Sequence, residues 1–326
     1  MQPLVDGFGR THRDLRISVT DRCNLRCTYC MPEGGLEWTP RSELLSYEEI
    51  ERVARLCAER LGVDSIRLTG GEPTVRADLD DLVARLAMLD VDLSLTTNGT
   101  RLVDLAVPLA RAGLRRINVS LDSLRPERFL ALTRRDQLDD VVDGIEAALA
   151  AGLTPVKVNC VVVRGVNDDE VVDLARLGRD LGVTVRFIEF MPLDASGEWD
   201  RDAVVPLAEI VATVDEVFPV EPVARTSEPA DLFRYRDGRG EFGVIPSVSR
   251  AFCDQCDRIR LTADGELRNC LFALAGTDLR ELLRSGSDDD RVEEAIRGCV
   301  RDKWAGHGIT RVDFVRPPRS MSQIGG

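Results

Sequence analysis

The chain has 326 residues and a formal net charge of −13, from 56 acidic and 43 basic side chains. That balance excludes bulk attraction to nucleic acid or to an anionic membrane surface. No apolar run approaches the roughly 20 residues of a spanning helix, and Arg10, His12, Arg13 and Asp14 arrive before any signal-peptide core can form, so a cytoplasmic chain is expected. Nine cysteines argue against a disulfide framework in that compartment, and six of them fall in two spaced groups that point to metal. Histidine is limited to His12 and His307, which leaves little for imidazole acid–base chemistry. Lysine is limited to Lys157 and Lys303. A lysine that persists against such an arginine bias marks a specific role.

The first predicted strand is Leu15–Thr20. Ser46-Tyr47-Glu48-Glu49 is a capping-box pattern, after which Ile50, Val53, Ala54, Cys57 and Leu61 recur at helical spacing until Gly62. Further helices are predicted near 78–89, 101–112, 139–151, 168–181 and 206–217. Between them lie β-prone segments at Ser65–Thr69, Asp92–Thr97, Arg116–Leu121, Val156–Val163 and Val183–Phe190. Six β/α alternations predict a parallel sheet with right-handed crossovers.

Parallel strands are ordinarily apolar on both faces. Here Leu15, Ile17 and Val19 alternate with Arg16, Ser18 and Thr20, and Ile66 and Leu68 alternate with Arg67 and Thr69. The same holds for Ser94 and Thr96, for Asn118 and Ser120, and for Lys157 and Asn159. An antiparallel sheet with one solvated face would show this pattern too, but the intervening helices argue against it. The expected fold is α/β, a partial (β/α)6 TIM-like barrel whose polar face lines a wet interior. Arg16, Arg67 and Lys157 on that face imply an anionic occupant, because a buried unpaired cation is costly. Pro219, Pro222 and Pro229 bracket a linker-like stretch, so residues 1–222 are expected to form the barrel and 223–326 a smaller α+β module.

Cys23-x3-Cys27-x2-Cys30 follows the first strand. Three thiolates on one loop can hold three irons of a [4Fe–4S] cluster and leave the fourth open. A structural zinc wants four closed ligands, and this loop offers no fourth Cys or His. Cys253-x2-Cys256-x13-Cys270 is a second group of three. Cys299 and His307 are possible fourth ligands there, so zinc stays open on spacing alone. Arg258 and Arg260 lie two apart and point the same way in an extended strand, a pairing suited to phosphate oxygens.

The first cysteine group, with Tyr29 before its last member and Gly70-Gly71-Glu72-Pro73 after the second strand, resembles the radical S-adenosylmethionine superfamily. Residues 14–24, 67–73, 95–99, 116–122, 156–159, 186–191, 252–261 and 324–326 resemble, in order, its GTP 3′,8-cyclase family. The resemblance implies a radical SAM barrel with two [4Fe–4S] clusters, on Cys23, Cys27 and Cys30 and on Cys253, Cys256 and Cys270. S-adenosylmethionine would bind the first open iron and contact Tyr29, Gly71, Ser120 and Met191. GTP would meet the second and contact Arg16, Arg67, Thr96, Lys157, Arg258 and Arg260. The implied reaction removes hydrogen from ribose C3′, joins C3′ to guanine C8 and opens molybdenum cofactor biosynthesis. Implied partners are an electron donor such as flavodoxin or ferredoxin, a cyclic pyranopterin monophosphate synthase that takes the product, and a second copy in a homodimer. Another two-cluster radical enzyme with a peptide cleft, or a non-enzymatic iron–sulfur or zinc protein, are the alternatives. The resemblance further implies catalytic roles for Arg258, Arg260 and the terminal Gly325 and Gly326. Arg316-Pro317-Pro318-Arg319 favours a stiff, extended exit, and residues 317–326 can reach about 30 Å at roughly 3.3 Å each, enough to enter a barrel mouth.

Overall fold

The alternating strands pair side by side, and the helices between them cover the apolar face. The computed structural model describes every residue except 1, 33, 194–196, 198, 226, 227, 310, 312 and 326. Strands β1 (Leu4–Val5) and β2 (Thr11–His12) form a small antiparallel pair. β3 (Asp14–Ser18), β4 (Ser65–Thr69), β5 (Asp92–Thr97), β6 (Arg116–Ser120), β7 (Val156–Val162) and β8 (Thr184–Glu189) follow one another in parallel. Their crossovers are α1 (Tyr47–Leu61), α2 (Leu79–Ala87), α3 (Leu102–Arg111), α4 (Pro126–Thr133) with α5 (Leu138–Ala150), and α6 (Val171–Leu181); α7 (Leu207–Val217) follows β8. This is the expected partial (β/α)6 barrel.

The remaining strands are β9 (Val220–Pro222), β10 (Asp231–Tyr235), β11 (Glu241–Ile245), β12 (Arg258–Leu261), β13 (Glu266–Arg268) and β14 (Thr277–Asp278). α8 (Leu279–Arg284), α9 (Asp289–Arg301) and α10 (Met321–Ile324) complete the chain. These later strands continue the barrel sheet on both edges. β11 pairs in parallel with β8, and β12 pairs in parallel with β3. The register sets Arg260 opposite Arg16, and Arg16 opposite Arg67, so three guanidinium groups start from one row of the sheet.

Leu15, Ile17, Ile66, Leu68, Leu93, Leu95, Ile117, Val119, Val158 and Phe187 are fully buried in one core beneath the helices. Each contributes about 1.5–3 kcal/mol of apolar burial. At the start of α1 the capping box forms as expected: Glu49 N donates to Ser46 Oγ (3.2 Å), and Ser46 N donates to Glu49 Oε2 (2.7 Å). Gly62 ends the helix in the left-handed region.

The N-terminal pair braces the later segment. Asp6 accepts from Arg10 Nε (2.6 Å) and lies 3.0 Å from His12 Nε2. Arg10 then donates to the carbonyls of Cys253 (2.5 Å), Trp304 (2.5 Å) and Ala305 (2.9 Å). Burial and Lys303 bring His12 down to about 4, against the pull of Asp6. The fold therefore binds His12 in its neutral form. Its contribution is whole above about pH 6.5, the unfolded value, and is lost as pH falls toward about 4. A melting series from pH 7 to 4 should show that loss, on the order of 3 kcal/mol. His12→Asn should flatten the slope; an unchanged slope would remove His12 as its source.

Candidate active site

The first cysteine loop leaves β3 at its C-terminal end. Cys30 N and Met31 N both donate to Cys27 O (2.9 Å), and Arg26 N and Thr28 N are tied to the end of α4 through Thr133 O and Leu132 O (2.9 Å each). Gly71 must be glycine: a Cβ there would collide with the carbonyls of Asp21 and Arg22. That close approach lets Gly71 N donate to Thr20 O (2.8 Å) and Glu72 N to Arg22 O (2.7 Å). The Glu72 carboxylate is fully buried and accepts from Thr74, Thr97 Oγ1 (2.6 Å) and Asn98 N (2.6 Å). Asn98 in turn donates to Asn24 Oδ1 (2.8 Å) within the cysteine loop. Glu72 thus locks the loops after β4 and β5 around the cysteines.

Burial pushes the thiols up, to about 12 for Cys23, to about 11 for Cys30 and well above the ordinary thiol value for Cys27. Left alone these thiols are neutral at pH 7; iron coordination deprotonates them. Among the described residues no three His, Cys, Asp or Glu side chains converge closely enough to share one ion. Thiolates that bind separate irons need no such convergence. Cys23 and Cys30 lie near enough to Cys27 to add to the rise of its thiol, so the loop brings three thiols together as a cluster requires. Tyr29 donates from its hydroxyl to Asp122 Oδ2 (2.5 Å), and burial raises that carboxyl to about 6.

The second group sits at the other end of the same pair of strands. Cys256 precedes the start of β12, whereas Cys23 follows the end of β3. Because β12 and β3 are parallel, the two groups are separated by at least the length of β3, roughly 16 Å. Lys303 Nζ lies 3.5 Å from Cys256 Sγ and donates to Arg258 O (2.6 Å). Burial pushes the Cys256 thiol up, but Arg258 and Lys303 outweigh it and bring it down to about 7. Cys299, one candidate fourth ligand, points its thiol at Leu267 O (3.4 Å) in the main core. His307, the other, lines the same cavity as the three cysteines.

That cavity, of about 160 Å³, is lined by Cys253, Cys256 and Cys270 and by none of Cys23, Cys27 and Cys30. It is lined by Arg16, Arg67, Thr96, Arg258, Arg260 and Met191 from the predicted set, as well as by Asn159, Arg186, Asn269 and Lys303. Burial and the neighbouring Arg67 lower Arg16 to about 9; burial with Arg16 and Arg258 does the same to Arg260. Arg67 and Arg186 are lowered to about 10, again chiefly by burial. Arg186 is held by Asn118 Oδ1 (2.7 Å) and Asn159 Oδ1 (3.0 Å). Among the described residues Arg16 Nε, Ser18 Oγ and Asp14 Oδ1 are buried on β3 without a hydrogen-bond partner. Orphaned polar atoms and crowded cations are the mark of an anionic, hydrogen-bonding ligand.

Lys157 is placed differently from its cavity neighbours. Its ammonium is 3.1 Å from both carboxylate oxygens of Glu228. Ser120 ends β6, half-buried, with Asn159 beside it in register. The end of the chain enters the barrel. Gly325 O accepts from Arg260 Nη1, Met321 lines the cavity, and Ser322 hydrogen-bonds to Cys30. Gly326 lies outside the described residues.

The Radical SAM superfamily profile matches residues 17–178, and the Molybdenum Cofactor Synthesis C profile matches residues 183–309. A protein named GTP 3′,8-cyclase 2 from Mycobacterium tuberculosis (strain ATCC 25618 / H37Rv) is 51% identical over 99% of this chain and 92% of its own length. The chain belongs to the GTP 3′,8-cyclase family. A GTP 3′,8-cyclase from Rhodopirellula baltica is likewise 51% identical over the same shares. Among solved structures, Streptococcus suis SuiB bound to S-adenosylmethionine superposes with a TM-score of 0.62. At 15% identity over 91% of this chain and 67% of that one, it shows a shared fold alone.

Arg186, Asn159 and Lys303 were absent from the sequence-derived site. Arg186 stands between Val185 and Phe187 in the same alternation that exposed Arg16 and Arg67. Lys303 carried the rarity signal of one of two lysines.

Proposed function

We propose that this chain converts GTP to (8S)-3′,8-cyclo-7,8-dihydroguanosine 5′-triphosphate, the first step of molybdenum cofactor biosynthesis. The observation that carries the reading is the set of five arginines around one cavity, Arg16, Arg186 and Arg260 buried and Arg67 and Arg258 half-buried, in a chain of net charge −13. A triphosphate supplies the charge that this set lacks. Cys23, Cys27 and Cys30 would hold a [4Fe–4S] cluster that, with S-adenosylmethionine, would supply the 5′-deoxyadenosyl radical, and Cys253, Cys256 and Cys270 would hold a second cluster beside the substrate.

The chain's own residues do the positioning. The five guanidinium groups hold the polyphosphate, and Thr96 and Asn159 add neutral hydrogen bonds. Lys157 joins them by exchanging the Glu228 carboxylate for a phosphate oxygen. Tyr29, Gly71, Ser120 and Met191 serve S-adenosylmethionine, Gly71 through its backbone. Holding ribose C3′ against guanine C8 is the remaining task, a matter of proximity. Residues 1–222 provide the barrel and its cofactor end; residues 223–326 bring the second cysteine group and the tail. Electrons come from a donor such as flavodoxin or ferredoxin. The product passes to a cyclic pyranopterin monophosphate synthase, and the setting is cytoplasmic; among the described residues no helix is long and apolar enough to cross a membrane.

The test is an anaerobic assay of reduced, iron-loaded protein with GTP and S-adenosylmethionine. It should yield 5′-deoxyadenosine and a cyclised nucleotide together; 5′-deoxyadenosine alone would refute GTP as the substrate. Arg186→Ala should remove one charge-assisted contact, about 1.5–3 kcal/mol. The KM for GTP should rise about 10- to 100-fold with S-adenosylmethionine binding unchanged. An unchanged KM would take Arg186 out of the substrate site.

A further inference from the structure

The tail that reaches Arg260 alternates exposed and half-buried residues just before it enters the barrel. Ile309 is buried, Arg311, Asp313 and Val315 are exposed, and half-buried Phe314 packs on the small core that contains Ile309, edge-on to Phe272 at 5.7 Å. Burial resumes at Ser322, Ile324 and Gly325. Between these regions stands a strong polar anchor. Arg319 donates Nη1 to Asp264 Oδ1 and Nη2 to Asp264 Oδ2, both at 2.8 Å, and Nη2 also lies 3.0 Å from Glu266 Oε2. A two-pronged guanidinium–carboxylate pair fixes direction as well as distance.

The anchor's far side is equally well built. Asp264 Oδ1 also accepts from Thr262 Oγ1 (2.6 Å), and the carboxyl of Glu266 is 3.3 Å from Arg268 Nη1. Asp264 and Glu266 belong to the turn and second strand of the β12–β13 hairpin, whose first strand carries Arg258 and Arg260. One short hairpin therefore grips the tail twice, at Arg319 through Asp264 and at Gly325 O through Arg260. Between the two grips the chain forms a single helical turn, closed by a capping box in which Ser320 N donates to Gln323 Oε1 (3.1 Å). That rigid turn fixes the separation between the grips, so the first decides where the second falls.

We propose that Arg319 is a positioning residue for the cyclisation, acting through Asp264 and Glu266 to seat Gly325 on Arg260. It rests on the reading of Gly325 as part of the substrate site. Arg319 is absent from the residues that line the cavity. Its effect reaches the chemistry only through the seat of the tail. Misplacement of a reacting group by about 1 Å costs on the order of 10²-fold in rate, and loss of the anchor leaves the register to the helical turn, the Ser322 contact with Cys30 and buried Ile324.

The test compares the iron-loaded parent with Arg319→Ala, Asp264→Asn and the charge swap Arg319→Asp/Asp264→Arg. Amide hydrogen exchange of residues 321–325 reports the seat, and GTP kinetics report its consequence. Arg319→Ala should speed exchange in the tail and lower kcat on the order of 10²-fold, with KM for GTP within a few-fold and iron content unchanged. Asp264→Asn should do the same in lesser degree, and the swap should restore part of both readouts. Tail amides as protected in Arg319→Ala as in the parent would overturn the anchor. Fast exchange with parental kcat would instead overturn the reading of Gly325 on which the proposal rests.

Discussion

Cys27→Ala is expected to abolish 5′-deoxyadenosine formation while the second cysteine group still takes up iron. The Cys27 carbonyl organises the loop by accepting from Cys30 N and Met31 N, and alanine retains that carbonyl. The loop should therefore stay folded and lose a ligand rather than its shape. Two thiolates cannot replace three on a cluster that already leaves one iron open. The Cys253, Cys256 and Cys270 group lies at the opposite end of β3 and β12 and draws its supports from Arg10 and Lys303, none of which touches Cys27. Anaerobic iron and sulfide analysis should fall from about eight irons per chain to about four. Undiminished 5′-deoxyadenosine would overturn the assignment of the first loop.

The barrel was legible because its signal is local. Each strand shows its two faces within five or six residues, and Arg16 between Leu15 and Ile17 is enough to mark an inner wall. The helix α4 was missed for the converse reason. Its eight residues start at Pro126 without a side-chain cap and end at Arg134 in the left-handed region, so they offer little periodicity and no stop signal. The pairing of β12 with β3 joins residues more than 200 positions apart, and nothing in either segment's alternation encodes that neighbour. Yet this pairing places Arg260 beside Arg16 and the two cysteine groups at opposite ends. Lys157 shows a further limit. Its inward placement followed from alternation, but its partner Glu228 comes from a stretch without a motif, and an ion pair between distant segments leaves no periodic trace.

Gly325→Ala is expected to abolish the cyclised nucleotide while leaving iron content and melting temperature at parental values. Gly325 has φ 83°, a conformation costly for any residue with a Cβ. Space is the larger obstacle. A Cβ there would run into Ser18 Oγ and come within 2.9 Å of Thr69 Cγ2. Ser18 and Thr69 are paired neighbours on β3 and β4, mid-sheet strands that cannot retreat, so the tail must lift instead. Lifting withdraws the Gly325 carbonyl from Arg260. Arg260 is then left among Arg16 and Arg258, where burial, with these like charges, already lowers it to about 9. The tail would be displaced by more than an ångström, enough to cost on the order of 10²-fold or more in kcat. Gly286→Ala separates backbone strain from this collision. Gly286 has φ 78° with nothing within 4 Å of a Cβ, so its alanine carries the strain alone, far from the cavity, and should turn over GTP at the parental rate. Parental turnover by Gly325→Ala, measured by chromatography of the nucleotide products, would reduce the seated tail to packing.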